Sequence, residues 1–555
     1  MTTKNETGPR APFLISSAVA STEAVHLTDR IAVVVLIAAA AIVLLTFRDY
    51  GLGWDDYTHA EYGDLLVAFF ASGFRDQRAL SWVNLYMYGG GFDLIAAVVA
   101  KVVPFTVFET RRLVGGLVGL VGLIAIWRTA RRLGGPPAGL LALGLLATCP
   151  LYVGHVFMNA KDGPFAVAMT ILLLGLIRTL EEYPQPSLGT RALTSIGFGL
   201  AVGSRVLGAF GVIAAFGALA FLFAIEVRND GLRPAAVRLG RFVWSMVPVV
   251  LLAFVIMAIV WPWSVAGPLN LFRAAIYFSK FFETPWHELF GGALVLVTEM
   301  PRSYLPTLLA LKLPEIFVAL TIGGMVGTLI AVFHRGLTPQ RRAALLVVVL
   351  AALLPIAITV LTRPALYNGI RHFVFVLPPL AVLGGLAGAR LFDWLRRFAY
   401  APAIAAVIFV FGISLPIVEM ARLHPYEYTY FNRFAGGVSG ARERYMLDYW
   451  GLSFKQASQG LAQKLVERHE TQPPDRRWKL AVCGPHRSPQ VELGPDFETT
   501  WDPQGADFAM MLGEFYCQKF DAPILAEVVR DGVVYARVYD IRRRSYPSLL
   551  TIPEP

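Results

Sequence analysis

Charge is what this sequence has least of. Only 16% of its 555 residues are Asp, Glu, Lys or Arg, against about 25% in an ordinary soluble domain. Hydrophobic residues make up 56% and the mean hydropathy is +0.56, which excludes a soluble enzyme of this length. Cysteine is scarce too. Of the three, Cys149 lies inside an apolar run, and no CxxC pair exists to frame a metal. Cys483 and Cys517 fall in the polar C-terminal region, where a disulfide forms if that region is extracytoplasmic; each can equally be buried singly. The polar stretch 1–30 lacks the short apolar core and cleavage site of a signal peptide, so Ile31 onward reads as a retained first span. No internal repeat and no low-complexity linker is evident.

What is abundant is the long apolar run. Windows near 31–48, 112–128, 138–155, 163–180, 206–227, 242–262, 312–333, 343–361, 372–389 and 401–420 approach the roughly 20 residues needed to cross about 30 Å of hydrocarbon. A shorter run at 192–204 ends at Gly203-Ser204-Arg205 and reads as the first arm of a hairpin with Arg205 at its tip, making eleven spans. The fold class expected is a polytopic α-helical membrane protein. The net charge of +10 does not point to nucleic acid, because no basic face interleaved with aromatics accompanies it. Lys and Arg sit between the apolar runs, as the positive-inside rule requires.

That rule also arbitrates the stretch 87–108, which is apolar but interrupted by Gly89, Gly90, Gly91, Asp93, Lys101 and Pro104. If it lies along the interface, five arginine groups share one side with the N-terminus. These are Arg128, Arg131 and Arg132; Arg178 and Arg191; Arg228, Arg233, Arg238 and Arg241; Arg335, Arg341 and Arg342; and Arg390, Arg396 and Arg397. A full span there would put all of them outside. The expected organisation is therefore a cytoplasmic segment 1–30, a membrane module 31–420 with outer loops 49–111 and 263–311, and an extracytoplasmic domain 421–555. In the last, the run from Trp478 to Cys483, the run from Ala506 to Leu512 and a hairpin signal from Val528 to Tyr535 predict a small α/β fold.

The outer segments are not bland connectors. The first carries Trp54-Asp55-Asp56 with His59, Glu61 and Asp64; on a helix Asp55 and Asp56 point about 100° apart and need not share a proton. An acidic, helix-capping cluster would look the same. The second outer turn holds His155, Asn159, Lys161 and Asp162 before Gly163-Pro164, where Asp162 is either a helix cap or half of a functional pair. Arg205, between two apolar arms, needs an anion: a carboxylate such as Asp162, or a phosphate held by the guanidinium fork. The turn from Tyr367 to His372 offers Arg371 as a second cation, or as a snorkelling side chain. His287 beside Glu288 is a weak metal signal, lacking a distant partner.

These motifs resemble those of the GT-C membrane glycosyltransferases, in the glycosyltransferase family 39 branch. That branch holds the protein O-mannosyltransferases, with the lipid A aminoarabinose transferase a close relative. The match rests on Trp54-Asp55-Asp56 with Ala60-Glu61, on Asn159 to Pro164, and on Gly203-Ser204-Arg205. Gly369 to Pro379 and His424 to Gly437 complete it, within a coverage of about 31–455. The resemblance implies a GT-C-like fold and an inverting enzyme that moves a sugar from a polyprenyl-phosphate donor to a hydroxyl of a lipid, glycan or protein acceptor. Asp55 matches the catalytic acidic residue of the first loop and Asp162 the acidic residue of the second. The Asp55-Asp56 pair departs from the commoner Asp-Glu, which leaves Asp56 a rival. Arg205, Lys161 and Arg371 become the donor-phosphate ligands, and Glu61, His59, His372 and Tyr367 the substrate contacts. No cofactor is required with certainty; a divalent cation on Asp162 stays open, with its other ligands unknown. The expected location is a bacterial-type inner (plasma) membrane, with the site and C-terminal domain periplasmic. The competing class is a transporter or lipid-linked sugar flippase, disfavoured because the charges gather at one face and no inverted repeat is present.

Overall fold

The computed structural model describes residues 22–279 and 286–551. Its first half runs through Thr22–Thr46 (α1), Asp56–Ala71 (α2), Gly91–Ala100 (α3), Val107–Ala147 (α4), Pro150–Met158 (α5), Asp162–Glu181 (α6), Leu188–Ser204 (α7), Ala209–Asp230 (α8) and Leu232–Val260 (α9). Short elements follow: Trp263–Ala266 (α10), Asn270–Ser279 (α11), the hairpin His287–Phe290 (β1) and Ala293–Leu296 (β2), and Tyr304–Lys312 (α12). The bundle resumes with Glu315–Phe333 (α13), Pro339–Thr362 (α14), Leu377–Leu395 (α15) and Ala401–Leu423 (α16).

Among the described residues nine helices are long and apolar enough to cross a membrane. One of them, α4, is a 41-residue run made of two helical arms. It breaks at Gly135, whose φ of 81° only glycine adopts freely, and Pro136-Pro137 start the return arm. Counting the two arms of α4 separately and adding the 17-residue α7 gives eleven apolar helical segments among the described residues, against eleven spans expected from the apolar runs. The first span starts earlier than expected: α1 is helical from Thr22, with its apolar stretch at Leu27–Thr46, while residues 1–21 of the expected N-terminal segment lie outside the described residues.

The two ends of the bundle differ in chemistry. At one, Arg131 pairs with Asp29 at 2.7 Å, and Arg132 and Arg341 both pair with Glu181, joining the ends of α1, α4, α6 and α14. At the other end lie α2 and α3. With ten residues α3 spans only about 15 Å, and the Gly89 and Gly90 amides just before it donate to the carbonyls of Ser204 and Val260 at the ends of α7 and α9. Thr106 and Glu109 form a capping box that starts α4 at this same end. Small residues let the central helices touch backbone to backbone. A Cβ on Gly385 of α15 would stand 2.5 Å from the carbonyl oxygen of Ala138 in α4, a closeness only glycine permits.

The C-terminal region docks on the end that carries α2 and α3. After Gly437–Ala441 (α17) and Phe454–Glu467 (α18) come Trp478–Cys483 (β3), Arg487–Leu493 (α19), Phe497–Thr500 (β4), Phe508–Leu512 (β5), Ile524–Arg530 (β6) and Val533–Asp540 (β7). The sheet order is β4-β3-β5-β7-β6, with β3 parallel to β4 and β5 and the rest antiparallel. The three sequence signals for strands fall on β3, β5 and the β6–β7 hairpin. Cys483 and Cys517 are disulfide-bonded, with Cα atoms 5.9 Å apart and a separation of 34 positions in sequence. A loop of that length closed covalently contributes about 4 kcal/mol by chain entropy. The domain is tied to the bundle by Lys455, which donates to the Arg48 carbonyl, and by His424, which bridges Asp49 and Glu427.

Candidate active site

The turn after α1 is held by a buried arginine. Arg112, at the start of α4, donates to both oxygens of Asp56, to the Gly51 carbonyl, and to the carbonyls of Phe157 and Met158 at the end of α5. The same Asp56 carboxylate accepts from the Gly53 amide at 2.7 Å. Asp56 and Arg112 are each 3% exposed. Of the two adjacent carboxylates, then, Asp56 is committed to fastening the turn, and the catalytic role open to it in the sequence does not suit this geometry. Its neighbour Asp55 faces an open cavity.

Across that cavity stands Lys161, whose Nζ lies 3.3 Å from Asp55 Oδ2. Asn159 sets its position: Asn159 Oδ1 accepts from the Lys161 and Asp162 amides, and Asn159 Nδ2 donates to Asp162 Oδ2 at 2.6 Å. Asp162 in turn pairs with Arg205 at 2.7 Å, so the guanidinium at the α7–α8 turn has a carboxylate partner while its Nε is buried without one. The ring of Tyr88 carries both cations, with Lys161 Nζ 5.0 Å and the Arg205 guanidinium 5.5 Å from its centroid. Arg371 sits between the rings of Tyr367 and Trp450, 4.7 and 4.8 Å away, and donates to the Tyr367 hydroxyl.

Burial alone would raise the carboxyl of Asp55, but Lys161, then Arg371 and His59, hold it well below the usual carboxylate range. It is ionised at any physiological pH. His59, four residues on, donates or accepts through Nδ1 at 2.8 Å from Asp93 of α3, and Asp93 is also paired with Arg111. The turn carrying Tyr367 and Arg371 is fixed from outside by Glu288 of β1, which accepts from the Asn368 and Gly369 amides and from Tyr304. Burial pushes the Glu288 carboxyl up despite those bonds. This explains the His287-Glu288 pair: Glu288 shapes the turn. Among the described residues no group of three or more His, Cys, Asp or Glu stands ready for a metal ion.

The cavity so built measures about 740 Å³. Its polar wall is Asp55, Thr58, His59, Lys161, Tyr367 and Arg371; Val83, Leu85 and Trp286 make an apolar side; and Tyr449, Trp450, Phe515 and Tyr516 close it from the C-terminal region. Of the expected substrate contacts His59 and Tyr367 line it, His372 packs behind on the Tyr367 ring, and Glu61 is outside the wall. Tyr88, Trp450 and the Asp93–Arg111 pair were not singled out from the sequence. Their signal was present for Asp93 alone, as a charge interrupting an apolar run.

A carboxylate facing two or three cations across a half-apolar cavity can take a proton from a hydroxyl while the cations hold a phosphate. Residues 91–263 match the family model of dolichyl-phosphate-mannose-protein mannosyltransferase. No curated protein matches the sequence significantly. Among solved structures the chain is similar to ArnT from Cupriavidus metallidurans in the apo state, 18% identical with a TM-score of 0.48, covering 93% of this chain and 98% of that one. It is also similar to the same protein bound to undecaprenyl phosphate, 17% identical with a TM-score of 0.46, over 95% of this chain and 100% of that one. The Archaeoglobus fulgidus oligosaccharyltransferase in the apo form is 14% identical with a TM-score of 0.47, over 86% of this chain and 65% of that one. The family match over residues 91–263 agrees with the resemblance that the motifs carry to the GT-C membrane glycosyltransferases of the family 39 branch.

Proposed function

We propose that this protein transfers a sugar, with inversion, from a polyprenyl-phosphate donor to a hydroxyl of a lipid, glycan or protein acceptor at the extracytoplasmic face of a bacterial-type inner membrane. The observation that carries the reading is Asp55, an ionised carboxylate opposite Lys161 and Arg371 in a cavity with an apolar side. The acceptor hydroxyl gives its proton to Asp55 as its oxygen bonds to the anomeric carbon. The bond from that carbon to the phosphate oxygen breaks, and the phosphate leaves with the electron pair. It is already a good leaving group, so it needs cations and not an acid, which Lys161 and Arg371 supply. Asp162 holds Arg205 in place beside them. Val83, Leu85 and Trp286 give the prenyl chain an apolar approach.

Purified protein supplied with a panel of radiolabelled polyprenyl-phosphate sugars is expected to hydrolyse or transfer one of them. Binding or translocation of every donor without cleavage would mean a transporter or flippase. The sidedness follows from the arginine-rich end being cytoplasmic. In intact cells a cysteine engineered near Gly494 is expected to react with an impermeant maleimide, and one near Pro136 to be spared. The opposite pattern would invert the topology and remove the site from the outer face.

A further inference from the structure

His59 is buried to 3% exposure, its Nε2 has no hydrogen-bond partner, and it belongs to the wall of the cavity that holds Asp55. An orphaned buried nitrogen is costly unless something occupies it during function. The other ring nitrogen is engaged: Nδ1 lies 2.8 Å from Asp93 Oδ2. Asp93 is 2% exposed and is anchored by Arg111, itself buried, which also reaches the His59 backbone carbonyl. An ionised carboxylate accepts only, so Nδ1 carries a proton, and in the neutral ring Nε2 presents a lone pair. The first turn of α2 brings His59 beside Asp55. The His59 amide bonds to the Asp55 carbonyl, so the two side chains stand four residues apart on one face, and both border the same small recess with Asn159 and Lys161.

We propose that His59, backed by Asp93, is the base to which Asp55 passes the proton it takes from the acceptor hydroxyl, a role that rests on the transferase reading above. The need for such a group arises from the site's own electrostatics. Lys161 and Arg371 make Asp55 a weak base, so a proton placed on it is held loosely and passes on before the next turnover. In that step the O–H bond on Asp55 breaks with its electron pair staying on the carboxylate, and the Nε2 lone pair forms the new N–H bond. The resulting imidazolium sits against Asp93, whose charge balances it, and releases its proton to solvent as product leaves the cavity. The charged and titratable groups around His59 are Asp93 from α3, Arg111 from α4, Lys161 from the turn before α6, and Asp55, Asp56 and Tyr62 on its own element.

The test is the pH dependence of kcat between pH 5 and 9 with a polyprenyl-phosphate sugar that the protein turns over. His59 accepts a proton only when neutral, so the wild-type rate is expected to fall towards acid pH. Asp55, ionised throughout, contributes no such limb. His59→Gln is expected to lower kcat about 100-fold at pH 7, the low end of the usual span for a lost base, to leave donor affinity within about twofold, and to erase the acid limb. Asp93→Asn removes the counter-charge of the imidazolium and is expected to move the limb to lower pH. A wild-type profile flat from pH 5 to 8, or a His59→Gln profile that keeps the wild-type limb, overturns the role of His59 and leaves the transferase reading standing. A wild-type protein that cleaves no donor overturns the transferase reading, and this one with it.

Discussion

Asp55→Asn is expected to abolish sugar transfer while donor binding survives. The amide keeps the size of the side chain and still hydrogen-bonds an acceptor hydroxyl, but it takes up no proton at neutral pH. General-base contributions are typically about 10²–10⁴-fold, and the loss should fall on kcat and not on donor affinity. The ion pair with Lys161 sharpens this expectation. In the free protein the carboxylate occupies the ammonium that the donor phosphate would use, so the neutral amide leaves Lys161 unpaired and donor affinity should hold or improve. Because Lys161, Arg371 and His59 hold the Asp55 carboxyl below its ordinary range against the effect of burial, acid conditions down to about pH 4 should not mimic the substitution by protonating it. Parallel measurement of turnover and donor binding in detergent decides the matter. Near-normal turnover in a properly folded Asp55→Asn protein would move the base elsewhere.

The sequence carried the membrane architecture because a bilayer demands long apolar helices, and such runs are visible without any tertiary information. It carried the break in α4 less directly. The two apolar runs were legible as separate spans, yet the structure places the non-helical residue between them at Gly135 and starts the return arm at Pro136-Pro137. The cations Lys161, Arg205 and Arg371 were legible because a charge beside an apolar run needs a reason. What the sequence concealed were partners far along the chain. Arg111 and Arg112 read as the polar start of a span, and nothing local ties them to Asp93 and Asp56. Tyr88 lay in a stretch read for its crossing potential, and Trp450 at the edge of the motif coverage. Both became visible only when the C-terminal region and the first outer loop closed over the same cavity.

That concealed pairing is where the two adjacent carboxylates part ways, and it yields the largest expected effect on stability. Asp56→Ala leaves the Arg112 guanidinium, 3% exposed, without its counter-charge, and the Gly53 amide without its acceptor. Breaking a buried ion pair from one side costs about 3–5 kcal/mol, because the remaining charge stays in low dielectric. Arg112 also fastens the Gly51 carbonyl and the end of α5, so the loss releases the turn that aims Asp55 as well as the segment before Lys161. The expected result is a lower melting temperature and a smaller folded yield in detergent, with activity falling in proportion. Arg112→Met alone should destabilise similarly, by stranding Asp56. Combining Asp56→Leu with Arg112→Met removes both charges and should recover much of the loss, since an apolar pair of similar volume often replaces a buried ion pair at little cost. A double-mutant cycle on thermal stability measures that coupling. Should Asp56→Asn instead melt like the wild type and lack all turnover, Asp56 and not Asp55 would be the proton acceptor, and the turn would need another fastening than Arg112.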